Sequence, residues 1–157
     1  MIRGRYVQGR PLLSGLLQFA TIPKFEQTLV SVRFLIDTGA DATLIQPVDY
    51  EPEGPPYAAF RRLPLAEATR GFAGLIEAKI VPVALYLRHE DGHYDRIELE
   101  AEIARSSLDL EGLPSVLGRD VLDLYRLTMD RSHALIDLER AEGQIDPWPD
   151  DSAHDKP

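Results

Sequence analysis

Apolar residues in this chain fall mostly in short runs in which every second position is hydrophobic. "LLSGLLQFATI" (12–22), "TLVSVRFLID" (28–37), "GLIEAKIVPVALYLR" (74–88), "DRIELEAEIA" (95–104) and "SHALIDLE" (132–139) are rich in Val, Ile, Leu and Tyr, and their period of two predicts β-strands. In the fourth run Ile97, Leu99, Ala101 and Ile103 share one face and Arg96, Glu98, Glu100 and Glu102 the other, so this strand should be half buried. "EPEGPP" (51–56) is loop chemistry, and Asp91-Gly92 within "EDGH" favours a tight hairpin. Helical spacing occurs in "GRDVLDLYRL", where Val121, Leu122 and Tyr125 follow Asp120, an acid suited to a first turn.

These elements fit one domain of 157 residues with an ordinary core, divided into an N-terminal segment (1–11), a folded unit (12–140) and an acidic tail (141–157) expected to be disordered beyond Trp148. The net charge of -9 argues against nucleic acid and anionic membrane as partners, since both require clustered Lys and Arg. With no cysteine, disulfides, thiolate metal sites and a Cys nucleophile are excluded, which suits a reducing, cytoplasmic setting. Arg3, Arg5 and Arg10 before "LLSGLLQFA" imitate a signal peptide, but Pro11, Ser14 and Gln18 interrupt the pattern and a β-strand is the expected reading. The longest apolar run, "IVPVALYL" (80–87), is too short to span a membrane.

Two stretches could carry chemistry. "HEDGH" (89–93) matches the spacing of a zinc peptidase motif, which needs both His89 and His93 on one helix face with Glu90 as base. Here Asp-Gly sits at its centre between two strand-like runs, which predicts a solvated hairpin tip and no metal. "FLIDTGADATLI" (34–45) instead ends an apolar strand on Asp37 and follows it with small residues. Gly39 lets the backbone approach closely, Ala40 leaves room for a second chain or a substrate, and Thr38 and Thr43 can hydrogen-bond neighbouring backbone. Such a turn presents a carboxylate.

The pattern apolar-apolar-Asp-Thr-Gly-Ala-Asp-x-Thr-apolar resembles the active-site motif of retropepsin-like aspartic peptidases, the family of the retroviral proteases and their cellular and bacterial relatives. "SVLGRDVL" (115–122) resembles the segment that precedes the family's single helix, and "RGFAGLIEAKI" (70–80) resembles its flap hairpin, with Gly71 and Gly74 bracketing Phe72 and Ala73. The resemblance covers roughly residues 12–138. It implies an all-β, single-lobe acid protease barrel with one short C-terminal helix, completed by homodimerisation.

By that resemblance Asp37 is the catalytic aspartate, and Thr38 and Gly39 complete its triplet. Ala40, Asp41, Ala42 and the flap residues Gly71, Phe72, Ala73 and Gly74 face substrate, and Asp41 pairs with Arg119 as a brace. No cofactor is implied. Peptide hydrolysis of this kind needs two carboxylates sharing one proton, and the chain has one Asp-Thr-Gly, so a second copy is the expected partner alongside a peptide substrate. The same fold could alternatively serve as a non-catalytic dimerisation or peptide-binding module.

Overall fold

Alternation along the strands reappears as alternation of burial. The computed structural model describes residues 1–67, 69–71, 74–107 and 112–141, with backbone alone for 69–71, 74 and 75. Strands β1 (Ile2–Arg3), β2 (Arg5–Val7), β3 (Arg10–Gln18) and β4 (Leu29–Ile36) come first, followed by β5 (Leu44–Ile45), β6 (Thr69–Gly71) and β7 (Gly74–Ile76). The rest are β8 (Ala78–Arg88), β9 (Tyr94–Ala104), β10 (Ser115–Leu117), β11 (Tyr125–Asp130) and β12 (Leu135–Arg140). Two single-turn helices, α1 (Pro47–Tyr50) and α2 (Arg119–Leu122), and a 3-10 turn at Tyr57–Phe60 interrupt them. On β4 the buried positions are Val30, Val32, Phe34 and Ile36, and on β9 they are Ile97, Ala101, Ile103 and, at the strand's end, Ala104.

The main sheet runs β2-β3-β4-β10-β5-β9-β8 and closes on itself where Leu16, Leu17 and Gln18 of β3 pair with Tyr86, Leu85 and Ala84 of β8. The closed ring therefore comprises β3, β4, β10, β5, β9 and β8, an all-β barrel that leaves no open edge between those strands. Phe19, Phe34, Tyr50, Phe60, Leu85, Ile103 and Leu117 fill the interior. Beside the barrel lies a smaller sheet, β1-β12-β11, in which Ile2 and Arg3 pair with Leu138 and Asp137. Residues 2–7 are thus built into both sheets.

Sequence and structure part at the helix. The spacing in "GRDVLDLYRL" predicts one continuous element, whereas α2 stops at Leu122 and Tyr125 enters β11, whose six residues pair with β12. A short helix gains little from propagation after its costly nucleus, and the hairpin offers a full ladder in exchange. Among the described residues no helix is long and apolar enough to cross a membrane.

The tip joining β8 to β9 is a hairpin, with Gly92 at φ +97, a left-handed conformation that favours glycine. Its histidines face different partners: His89 Nε2 lies 2.9 Å from Asp95 Oδ1, and His93 Nδ1 lies 3.0 Å from Asp91 Oδ2. Glu90 pairs with Arg3 at 2.8 Å, so the three residues of the zinc-like motif do not converge. Asp95 also accepts a 2.6 Å hydrogen bond from the Tyr125 hydroxyl, whose pKa is pushed well above the ordinary tyrosine range by burial and by that carboxylate. This node fastens β11 to the barrel.

Candidate active site

Strand β4 delivers Asp37 one residue beyond its last paired position. The Asp37 N–H donates to the Leu117 carbonyl at 3.2 Å, continuing the parallel pairing of β4 with β10, in which Ile36 sits opposite Leu117. The chain then turns: the Ala40 N–H donates to the Asp37 carbonyl at 3.2 Å, and the Gly39 N–H donates to Asp37 Oδ1 at 2.9 Å. The second bond orients the carboxylate without covering it. Asp37 is half-buried while Thr38 and Gly39 are exposed, so the turn opens to the outside.

The turn is held from below by α2. The Arg119 N–H donates to the Ala40 carbonyl at 2.8 Å and the Asp120 N–H to the Asp41 carbonyl at 3.2 Å. Gly118, immediately before the helix, passes so close that an added Cβ would lie 2.5 Å from the Ala42 carbonyl carbon and 2.6 Å from its oxygen. Only glycine fits that crossing without moving backbone. The side chains of Arg119 and Asp41 form an ion pair, which raises the guanidinium pKa further, and both are largely exposed.

A second link is partly buried, and sequence reasoning missed it. Thr43, 1% exposed, donates its N–H to Asp120 Oδ2 at 2.9 Å and its hydroxyl to Asp120 Oδ1 at 2.6 Å. Its oxygen in turn accepts the Gly118 N–H at 3.1 Å. From the sequence Thr43 reads only as a partner for neighbouring backbone and Asp120 only as a first-turn acid, and nothing in the spacing of the two motifs marks them as partners. One strand further on, Ser115 Oγ accepts the Gln46 N–H at 2.9 Å and donates to Asp49 Oδ2 at 2.5 Å, tying the exit of β5 to β10.

Thus Asp37, Thr38, Gly39, Ala40, Asp41 and Ala42 form one turn, and Arg119 reaches it. Gly71 and Gly74 pair with each other at the end of the β6–β7 hairpin, while Phe72 and Ala73 lie outside the described residues. A surface concavity lined by Thr21, Pro82, Val83, Arg96, Glu98 and Glu100 contains no residue of the Asp37 turn. Among the described residues no group of three or more His, Cys, Asp or Glu side chains could hold a metal.

No protein-family model matches the sequence, and no curated protein matches it. Solved structures do match. A retropepsin-like aspartic protease from Rickettsia conorii is similar with a TM-score of 0.54 and 17% identity, over 87% of this chain and 95% of that one. The EIAV protease complexed with the inhibitor HBY-793 is similar with a TM-score of 0.43 and 20% identity, over 74% of this chain and 88% of that one. The Rickettsia comparison and the closed β-barrel together identify the architecture: this chain has the retropepsin-like, all-β fold of the aspartic proteases.

Proposed function

We propose that the chain is one half of a homodimeric aspartic endopeptidase, in which Asp37 of one copy meets Asp37 of the other across a twofold axis. The observation that carries this reading is the presentation of a single Asp-Thr-Gly carboxylate on an open turn that is cross-braced to a glycine-tight helix start. One carboxylate cannot act as both base and acid on the same peptide bond. Two held a few ångströms apart can share a proton, because like charges at that distance do not both ionise readily.

In the proposed reaction the ionised aspartate takes a proton from water as its oxygen attacks the scissile carbonyl carbon, and the protonated aspartate gives its proton to the carbonyl oxygen. The tetrahedral diol then collapses: the C–N bond breaks, the nitrogen leaves protonated, and a carboxylic acid and an amine result. Each dyad proton consumed is returned. The β6–β7 hairpin, with Gly71 and Gly74 near its end, is the element proposed to cover an extended peptide, and Ala40, Asp41 and Ala42 to line its backbone.

The test is cleavage of a peptide library between pH 3 and 8, with and without pepstatin, beside Asp37→Asn. Inhibitor-sensitive cleavage that disappears in the variant supports the proposal. Peptide binding without turnover in the parent chain would favour a non-catalytic module.

A further inference from the structure

Glu77 is the single residue between β7 and β8. Its carbonyl accepts the Arg105 N–H at 2.9 Å, one step beyond the Ala78–Ala104 pair that begins the β8–β9 ladder, so the barrel's hold on this limb reaches Glu77. The other limb is held at the same level, where the Ala66 N–H donates to the Ala78 carbonyl at 2.9 Å. Past those bonds the limbs pair with each other, Thr69 with Ile76, Arg70 with Leu75 and Gly71 with Gly74. Ala66 and Glu77 therefore mark the root of the hairpin.

Two different contacts grip that root from opposite sides, because burial alternates along it: Ile76 and Ala78 are buried, and Glu77 between them is exposed. Inside, Ile76 belongs to a small apolar cluster with Leu44, Ala78 and Ala104, against which Val116 packs. Leu44 opens β5, the strand into which the Asp37 turn leads, so the inner seat lies on the active-site framework. Outside, Glu77 Oε2 accepts hydrogen bonds from the Tyr57 hydroxyl at 3.2 Å and from Arg105 Nη1 at 3.3 Å. Tyr57 is itself fixed, its ring edge-on to the fully buried Phe60 with centroids 6.2 Å apart. Burial, with the Glu77 carboxylate beside it, pushes the Tyr57 pKa up to about 12, so the hydroxyl stays a donor.

We propose, resting on the reading of β6–β7 as the cover of an extended peptide, that Glu77 is a positioning residue for substrate. Its clasp by Arg105 and Tyr57 fixes the angle at which the hairpin stands over the Asp37 turn. Apolar packing is non-directional, so the inner seat alone lets the hairpin rock about its root. A hydrogen-bonded carboxylate on the opposite face is directional and stops the rocking. The clasp is open to solvent, with side-chain exposures of 46% for Glu77 and 63% for Arg105, so its energy is modest. A modest energy suffices at a hinge, because apparent affinity scales with the fraction of hairpins that are seated, and saturating peptide seats them all. Loss of the clasp therefore raises KM and leaves kcat unchanged.

The test combines charge reversal with its rescue. Glu77→Arg sets like charges at the root, and Glu77→Arg with Arg105→Glu restores the pair in the opposite sense. Two readings are taken at about pH 6, where a carboxylate is ionised: KM and kcat for a cleaved peptide, and amide hydrogen exchange of β6 and β7, which needs no catalysis. Glu77→Arg should raise KM about two- to fivefold at constant kcat, and speed hairpin exchange by a similar factor while β3 and β4 exchange as in the parent. Glu77→Gln, which keeps the shape and loses the charge, should move both readings the same way by less, and covers the case in which arginine disturbs the fold. The double variant should recover both, which a merely structural role for Glu77 would not produce. Parent-like hairpin exchange in Glu77→Arg, an unmoved KM in an active enzyme, or no recovery in the double variant overturns the clasp. Faster, rescued hairpin exchange in a chain that cleaves nothing supports the clasp and sinks the peptidase reading, whereas an active peptidase indifferent to these substitutions sinks the clasp alone.

Discussion

Replacing Thr43 by valine removes one oxygen from the site and almost no volume. The hydroxyl serves two bonds at once: it donates to Asp120 Oδ1 at 2.6 Å and accepts from the Gly118 N–H at 3.1 Å. Asp120 is exposed, so its freed oxygen turns to water at little cost. The Gly118 N–H is buried and has no such escape, and an orphaned buried donor costs about 1–3 kcal/mol. The Thr43 N–H keeps its own bond to Asp120 Oδ2, which limits the damage. The expected loss is thus about 2 kcal/mol, a fall in melting temperature of about 4–8 °C for a chain of this size.

The assay is thermal and urea denaturation of Thr43→Val, Asp120→Ala and the double variant, at a protein concentration where all share one oligomeric state. Because both substitutions break the same bond, their effects should sum to less than additive, with a coupling of about 1 kcal/mol. A Thr43→Val protein that melts with the parent, or strict additivity in the double variant, would refute the claim that this hydroxyl bridges the active-site turn to α2.

Arg119→Ala should leave the melting temperature nearly unchanged, because its ion pair with Asp41 is exposed and its backbone bond to Ala40 survives; a loss as large as that of Thr43→Val would reverse the ranking of the two links. Gly118→Ala must push the Ala42 backbone away, and a cost of about 1–3 kcal/mol together with a lower turnover number is expected by denaturation and initial rates. Ser132 and His133 lower the Asp130 pKa, so the contribution of that turn is present above pH about 4 and fades as the pH falls through the native value. Asp130→Asn should therefore flatten the acid limb of melting temperature against pH. Specific activity should fall on dilution as dimers separate, and a chelator should leave it unchanged.

The barrel was legible because its long strands bury one face, so the alternation in β4 and β9 carries both element and orientation. β5 and β10 are two and three residues long, too short for any period to register, although the Asp37 turn leads from β4 into β5 and β10 lies between those two strands. β11 was hidden for another reason. Val121, Leu122 and Tyr125 satisfy a helical spacing locally, and only pairing with the distant β12 makes residues from Tyr125 onwards extended. At the site the sequence motif located the turn, and the family resemblance supplied the pairing of Asp41 with Arg119. The Thr43–Asp120–Gly118 link stayed silent because a threonine hydroxyl and a backbone N–H have no sequence signature of their own; proximity across 75 residues creates it.

The claim at the centre of this account is that one active site requires Asp37 from both copies. It is tested most directly by mixing parent chain with Asp37→Asn chain at fixed total concentration, allowing subunits to exchange, and measuring the initial rate of peptide cleavage against the parent fraction. If each site needs two carboxylates and the variant dimerises normally, only parent–parent dimers are active and the rate falls as the square of that fraction. A rate that falls in simple proportion to the parent fraction would mean that each chain works alone, and would contradict the shared site.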